Sequence, residues 1–188
     1  TKADFNNLQV GGTNLLPKSG NFRDNTGSWI SNGANITLDS SVIYSGYSTI
    51  KIVGNGGASY DGFIQLKANT TYTYSVLAKA SSDIVGNYIT PLHMWLSTAQ
   101  DSQHLETVIA YNSSIGTKWT KAWVTFKTPN DGDIYYMKPF IYNIGDATVW
   151  LANAKVEEGN KVTDWSPAPA DIDASIATVD GKFVNYST

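Results

Sequence analysis

Hydrophobic residues in this chain recur with a period of two and almost nowhere with the 3.6-residue period of a helix. Along 71–80, for example, Tyr72, Tyr74, Val76 and Ala78 alternate with mostly polar residues. Alternation places successive side chains on opposite faces of a strand. Gly, Asn, Asp and Pro interrupt the runs and mark turns. The pattern predicts strands over 35–39, 48–53, 62–66, 71–80, 89–97, 106–111, 119–128, 134–142 and 147–157.

Strands at this spacing, without helices between them, predict an all-β fold: a jelly-roll β-sandwich of two antiparallel sheets. We expect one domain at 14–165, preceded by an N-terminal linker at 1–13. Residues 166–188 form a C-terminal linker or the start of a next module, in which 171–178 suits a short helix. The segment 166–169 reads Ser-Pro-Ala-Pro and suits an extended connection. The two ends therefore predict a module within a larger protein.

The composition narrows the classes of partner. The 188 residues include 13 Lys+Arg and 16 Asp+Glu, a net charge of −3 without any basic run, so a nucleic-acid partner is not expected. There is no cysteine, and no apolar run reaches membrane-spanning length, so neither disulfides nor membrane insertion is expected. Aromatic residues make up 12% of the chain and charged residues only 15%. That balance suits neutral polar ligands such as sugars, although β proteins are rich in aromatic residues in any case.

Strand parity sorts the side chains into core and outer sets. In each strand one set of alternate residues is more apolar than the other. The more apolar set is expected to face the core, and the other set then faces outward. Polar candidates on the outer parity are His93, Lys79 and Lys138. If the outward sets share one sheet, they form a single aromatic platform. The large aromatic residues that this rule turns outward are Trp95, Trp123, Phe140, Tyr142 and Trp150.

The two ends of the chain carry its most distinctive motifs. Residues 14–22 read NLLPKSGNF and are followed by Trp29, and residues 8–12 before them read LQVGG. Near the other end, residues 154–159 read AKVEEG and residues 163–169 read TDWSPAP. The opening, with the strands 71–80 and 118–129, resembles jelly-roll carbohydrate-binding modules of the xylan- and glucan-binding type. The closing segment and the LQVGG lead-in resemble modules inserted in tail and baseplate proteins of phages that infect Gram-positive bacteria.

This resemblance implies an accessory domain of a virion protein, on the extracellular tail or baseplate. It implies host recognition through cell-surface or cell-wall polysaccharide, with neighbouring domains of the virion protein as further partners. No catalytic cofactor is implied. Relatives of the xylan-binding type often hold a structural calcium ion through an acidic residue after the Asn-Phe pair and another in the last strand. Here Arg23 follows Phe22 and Asn153 stands near the late position, with Asp24 as a substitute, so the metal ligands are unknown.

Sugar binding needs flat aromatic rings for the apolar faces of pyranose rings and planar polar groups or Lys for the hydroxyls. We expect Trp95 and Trp123 to stack on the ligand, and His93 and Lys79 to make polar contacts. Lys138 is the candidate for anionic groups. The alternative for each aromatic residue is that it covers a sandwich edge or packs under a loop. Further ligand-binding candidates are Tyr142 and Trp150, with Tyr60 and Asp61 as a rim; Trp29, Trp119 and Trp165 are expected to pack structurally.

Catalytic motifs are absent from the sequence. Its histidines, His93 and His104, lack metal-ligand spacing, and there is no Gly-x-Ser-x-Gly elbow or phosphate-binding loop. Most acidic residues fall in turns, where they usually serve turn geometry. The chain is therefore not expected to be an enzyme. The alternatives to a non-catalytic carbohydrate-binding module are a structural spacer in a virion protein and, less favoured, a polysaccharide lyase or glycosidase, which needs paired carboxylates across a cleft.

Overall fold

The computed structural model describes residues 11–85, 92–100, 106–109, 114–142 and 144–184. The predicted strand residues 89–91 and 110–111, His104, and the linker residues 1–10 and 185–188 lie outside the described residues. The strands are β1 Trp29–Asn32, β2 Asn35–Tyr44, β3 Tyr47–Val53, β4 Gly57–Tyr60, β5 Ile64–Leu66, β6 Thr71–Ala80, β7 Ile84–Val85, β8 Leu92–Ser97, β9 Glu106–Ile109, β10 Ser114–Ile115, β11 Thr120–Lys127, β12 Tyr135–Ile141 and β13 Val149–Glu158; helix α1 spans Pro169–Val184.

Two antiparallel sheets form the body of the molecule. The first has six strands in the order β1-β4-β12-β8-β9, with β5 also paired to β12. The second has five strands in the order β11-β6-β13-β3-β2, and β10 pairs with β7 in a small separate ribbon. This arrangement confirms the predicted jelly-roll sandwich. The sheet order, which strand parity does not give, decides which outward side chains can meet.

The core lies between the two sheets and consists of the apolar side chains that each strand turns inward. In β6 the side chains of Tyr72, Tyr74, Val76 and Ala78 are buried, as the alternation predicts. Tyr74 also links the two sheets, because its hydroxyl donates to the carbonyl oxygen of Phe140 at 3.0 Å. Burial raises the pKa of the Tyr74 hydroxyl, which therefore acts as a neutral donor.

Strands β1 and β4 were not predicted, because their sequences do not alternate between apolar and polar residues. All four residues of β4 are buried, and Trp29, which begins β1, is buried as well. Glycines and serines in these segments make them read as turns or loops. Pairing with β12 buries β4 and brings β1 to the edge of the six-stranded sheet. Tertiary contacts therefore outweigh the local turn propensity here.

Helix α1 is longer than the predicted 171–178 and starts at Pro169. Proline suits the first helical position because its missing N–H would have no partner there. The Asp171 carboxylate accepts hydrogen bonds from the backbone N–H of Ala168 at 3.2 Å and of Lys18 at 3.0 Å. The first bond caps the helix, and the second ties its start to the opening segment. Within the part of the chain described, no helix has the length and hydropathy needed to cross a membrane.

The closing segment is tied to the outer face of the five-stranded sheet by a buried ion pair. The Lys155 ammonium lies 3.3 Å from the Glu157 carboxylate, and both side chains are buried. The ammonium also donates to the Thr163 hydroxyl and to the Asp164 carbonyl oxygen, at 2.6 and 2.9 Å. The Glu157 carboxylate accepts from the backbone N–H and the hydroxyl of Thr163. Each charge thus has several partners, which a buried charge requires.

We predict that Glu157→Gln lowers the free energy of unfolding by about 3 kcal/mol, because it leaves the buried Lys155 ammonium without its counter-charge. Urea unfolding followed by tryptophan fluorescence measures the change. The matched control is Glu158→Gln, whose exposed carboxylate pairs with the exposed Lys67. That change is expected to cost less than about 0.5 kcal/mol, since surface ion pairs contribute little. Equal effects of the two variants would contradict the structural role assigned to Glu157.

Candidate functional site

The outer face of the six-stranded sheet gathers aromatic and polar side chains from two neighbouring strands. Strand β8 pairs with β12 so that Trp95 lies opposite Lys138 and His93 lies opposite Phe140. Tyr142 follows β12 with the same parity as Phe140. We call these five residues the β8–β12 face. Here the structure brings together Trp95, His93, Lys138 and Tyr142, four of the predicted ligand-binding residues.

Phe140 is the base of this face. Its ring is buried, with 2% of the residue exposed, yet it lies outside the main core cluster. The Trp95 ring packs against it at 4.4 Å between centroids, with the two planes inclined at 56°. The His93 ring contacts Phe140 edge to face at 5.5 Å, and Tyr142 at 5.9 Å. Phe140 therefore holds the half-buried Trp95 and His93 rings in place while they remain accessible from outside.

His93 has an unusual environment for a surface histidine. Its Nδ1 atom is buried and has no hydrogen-bond partner among the described residues. Desolvation lowers the pKa of the imidazole below its ordinary value. The ring is therefore neutral at neutral pH, and it can offer either a donor or an acceptor to a hydroxyl group.

Lys138 supplies a positive charge at the margin of the face. Its ammonium lies 5.7 Å from the centroid of the Phe63 ring, just before β5. Phe63 was not among the predicted site residues, although it has the parity opposite to the buried Ile64 and Leu66 in the predicted strand 62–66. Tyr136, also missed, has the same parity in β12 as Lys138 and Phe140 and is half-buried. The outward parity of Tyr136 in the predicted strand could have identified it as a site residue from the sequence.

Trp123, Trp150 and Lys79 lie on the other sheet. Trp123 is 55% exposed on β11, an edge strand of the five-stranded sheet. Trp150 and Lys79 are directly paired on β13 and β6 of that sheet. The outer faces of the two sheets point in opposite directions. The outward sets therefore do not share one sheet, which was the condition for a single aromatic platform, and they form two aromatic surfaces.

Tyr60 and Asp61 do not form a rim. Tyr60 is 6% exposed and belongs to the core, where its ring packs edge to face with Trp29 at 6.3 Å. Its hydroxyl donates to the Pro17 carbonyl oxygen at 3.1 Å, and burial raises its pKa. Asp61 is exposed just after β4. Strand β4 places the Tyr60 side chain in the core together with Ala58, so the expected Tyr60–Asp61 rim is corrected to a core tyrosine beside an exposed loop residue.

The tryptophans that were expected to pack structurally have different environments. Trp29 is fully inside the core. Trp165 is half-buried, and its indole N–H donates to the Ser19 hydroxyl at 3.3 Å. Trp119 is half-buried beside Tyr44, with the two ring centroids 5.1 Å apart. Trp29 and Trp165 thus match the structural expectation, whereas Trp119 belongs to a surface cluster.

The residues considered for calcium do not gather into a ligand set. The Arg23 guanidinium lies over the Tyr47 ring at 4.7 Å, and Asp24 is exposed. Asn153 pairs with Gly20 through an isolated bridge. Among the described residues no group of three or more acidic, His or Cys side chains is placed to hold a metal ion. The residues present do not fit the calcium site that the resemblance implies, and no function is assigned through a metal.

Comparison with known proteins relates this chain to sugar-binding modules. A family profile described as a carbohydrate binding domain matches residues 14–139. No curated protein sequence matches the chain. Among solved structures, the CBM22-1 xylan-binding domain of Paenibacillus barcinonensis Xyn10C is similar with a TM-score of 0.53 and 14% identity, over 82% of this chain and 99% of that one.

Two further structures have the same fold. The second family 16 carbohydrate binding module has a TM-score of 0.50 and 19% identity, over 76% of this chain and 99% of its own. The C-terminal family 22 module of Clostridium thermocellum Xyn10B has a TM-score of 0.51 and 17% identity, over 80% and 98%. At these identities the structural likeness establishes the fold, and the family match over more than half of the chain establishes membership.

We predict that acidification destabilises the protein through His93. Because the folded-state pKa of His93 lies below the ordinary value of 6.5, the unfolded state binds more protons as the pH falls through about 6.5. The free energy of unfolding therefore decreases between pH 7.5 and 5.5. Urea unfolding across this range measures the free energy of unfolding, and NMR titration of the histidine resonances measures the pKa of His93. His93→Asn is expected to remove this part of the pH dependence, and a His93 pKa at or above 6.5 would contradict the prediction.

Proposed function

This chain belongs to the carbohydrate binding domain family, and we propose that the β8–β12 face is the surface on which it holds polysaccharide. The observation that carries the proposal is the Trp95 ring fixed against Phe140 and flanked by His93. A rigid indole on an open sheet face suits the apolar C–H face of a pyranose ring. Since the ring is already held in place, little side-chain freedom is lost on binding.

Polar groups beside the rings supply the hydroxyl contacts in this proposal. The neutral His93 imidazole, two residues before Trp95 on β8, offers hydrogen-bonding capacity, and the Lys138 ammonium, from the residue opposite Trp95 on β12, offers donors. Tyr142 extends the aromatic surface beyond His93. The combination of one stacking platform with a few polar groups is typical of a site that orients a saccharide chain.

The proposed activity is binding without cleavage. Hydrolysis of a glycosidic bond by the usual route needs two carboxyl groups on either side of it. None of the five residues of the β8–β12 face is Asp or Glu, and the charged residue among them is Lys138. The residues that hold the sugar in this proposal thus lack the acid and base that hydrolysis requires.

The proposed context is a phage tail or baseplate, where the module adheres to host cell-wall polysaccharide on the outside of the virion. The support is the closing segment and the LQVGG lead-in, which resemble such modules. The closing segment packs on the segment that directly follows this lead-in: the Asn14 side chain donates to the Ser166 carbonyl oxygen at 2.9 Å, and the Leu15 N–H donates to the Val156 carbonyl oxygen at 2.8 Å. Co-sedimentation with purified Gram-positive cell walls, compared with insoluble xylan, tests the context. Binding to xylan alone would contradict it.

One observation favours the alternative of a structural spacer. Ile172, Ile176 and Val179 of α1 are each about half exposed, at spacings of four and three residues on one side of the helix. Such a stripe suits packing against a neighbouring domain or chain. Sedimentation equilibrium of the purified chain separates the two functions: a strict oligomer without saccharide binding supports the spacer, and a saccharide-binding monomer rejects it.

We predict that Trp95→Ala weakens binding to the preferred wall polysaccharide about tenfold or more, because it removes the stacking surface and uncovers Phe140. Isothermal titration calorimetry against the solubilised polysaccharide measures the affinity. The matched control is Trp123→Ala, which removes an exposed indole from the opposite sheet.

The control variant is expected to bind within about twofold of the original chain, as a residue outside the site should. Thermal unfolding of both variants separates lost binding from lost folding. If Trp123→Ala abolishes binding while Trp95→Ala does not, the site lies on the five-stranded sheet and the proposed face is wrong.

A further inference from the structure

The outer face of the five-stranded sheet carries a row of alternating tryptophan and lysine side chains. Lys79 on β6 pairs with Trp150 on β13, which pairs with Lys51 on β3. Trp119 directly precedes Thr120, which pairs with Ala78, so Trp119 lies on the other side of Lys79. We call Trp119, Lys79, Trp150 and Lys51 the Trp–Lys row. All four side chains are half-buried, so each remains accessible from outside.

The Lys79 ammonium is held between the two indoles. Its Nζ atom lies 5.4 Å from the centroid of the Trp119 ring and 5.2 Å from that of the Trp150 ring. Both distances are within the range of cation–π attraction. The rings are fixed in turn, because Tyr44 packs against Trp119 and the Trp150 indole N–H donates to the Asp39 carboxylate at 2.9 Å. The row is thus ordered before any ligand arrives.

Lys79 lacks a counter-ion within the part of the chain that the structure describes. By contrast, Lys67, Lys121 and Lys155 each lie within 3.3 Å of a carboxylate oxygen. The nearby Asp39 carboxylate is already engaged by the Ser41 backbone N–H and hydroxyl and by Trp150. The ring contacts orient the Lys79 ammonium and leave its N–H donors available to an incoming anion.

We propose that the Trp–Lys row is a second saccharide site, specific for sugars that carry an anionic group. The Lys79 ammonium binds the anion, with Lys51 adding charge along the row. The two indoles lie on strands separated by one intervening strand, about 10 Å apart, and provide apolar surface for the sugar rings on either side of that anion. A carboxylate of a uronic acid and a phosphate of a polyol-phosphate polymer both meet this requirement.

This site is independent of the β8–β12 face. The two surfaces belong to different sheets and face away from each other. A chain with both sites would hold a neutral segment of polysaccharide on one side and an anionic segment on the other. Two weak sites on one module raise the apparent affinity when both can be engaged together.

The test uses tetragalacturonate as the anionic probe and xylotetraose as the neutral probe, with NMR titration of the tryptophan indole N–H resonances. Tetragalacturonate is expected to shift the Trp119 and Trp150 signals and to bind more weakly as salt is raised. Lys79→Gln is expected to weaken this binding at least fivefold and to leave the response to xylotetraose unchanged. The control Lys67→Gln removes one lysine charge from the exposed Lys67–Glu158 ion pair. It is expected to leave the binding of tetragalacturonate and the response to xylotetraose unchanged.

Short poly(glycerol phosphate) in place of tetragalacturonate distinguishes the two sources of the anion. Binding of either polymer that depends on Lys79 supports the proposal and names the preferred group. The proposal is overturned if neither anionic probe shifts Trp119 and Trp150, or if Lys79→Gln binds them as the original chain does. Trp95→Ala is expected to retain tetragalacturonate binding, so failure at the β8–β12 face and failure at the Trp–Lys row are separate results.

Discussion

The hydrogen bond from the Tyr74 hydroxyl to the Phe140 carbonyl oxygen crosses the core and joins β6 of the five-stranded sheet to β12 of the six-stranded sheet. A buried hydroxyl without a partner costs about 1–3 kcal/mol, so the bond restricts how β12 lies against β6. The Phe140 ring points away from this bond, to the outside, where it supports Trp95 and His93. The geometry of the candidate sugar-binding face therefore depends on a contact made inside the sandwich.

Lysine residues show how strongly position governs the role of one residue type in a chain with so few charges. Lys155 is buried and neutralised by Glu157, and it ties the closing segment to the sheet. Lys79 lies between two indoles without a counter-ion among the described residues. Lys138 stands beside Trp95 on the opposite surface. The first role is structural, whereas the other two leave a cation at an aromatic surface, where an anionic or hydroxyl-rich ligand can reach it.

Much of the fold could be predicted, because period-two alternation and turn residues act locally. The burial of Tyr74 and Val76 and the exposure of Trp123 follow directly from parity. The segments that escaped prediction are those whose environment is set by distant partners. All four residues of β4, which lies between β1 and β12, are buried, so the strand shows no alternation of buried and exposed positions. Tyr60 was assigned to a rim because this strand was not recognised.

By itself, the sequence determined that the chain forms an all-β sandwich and that Trp95, Trp123 and Trp150 do not face the core, since parity is a property of each strand. Only the tertiary structure decided which of them meet. Hydrogen bonding between strands distant in sequence places Trp95 with His93 and Phe140 on one sheet, and Trp150 with Lys79 on the other. The outward aromatic residues thus form two surfaces and not one. The sheet to which a strand belongs depends on its pairing with distant strands, and the local residue pattern of a strand does not encode that pairing.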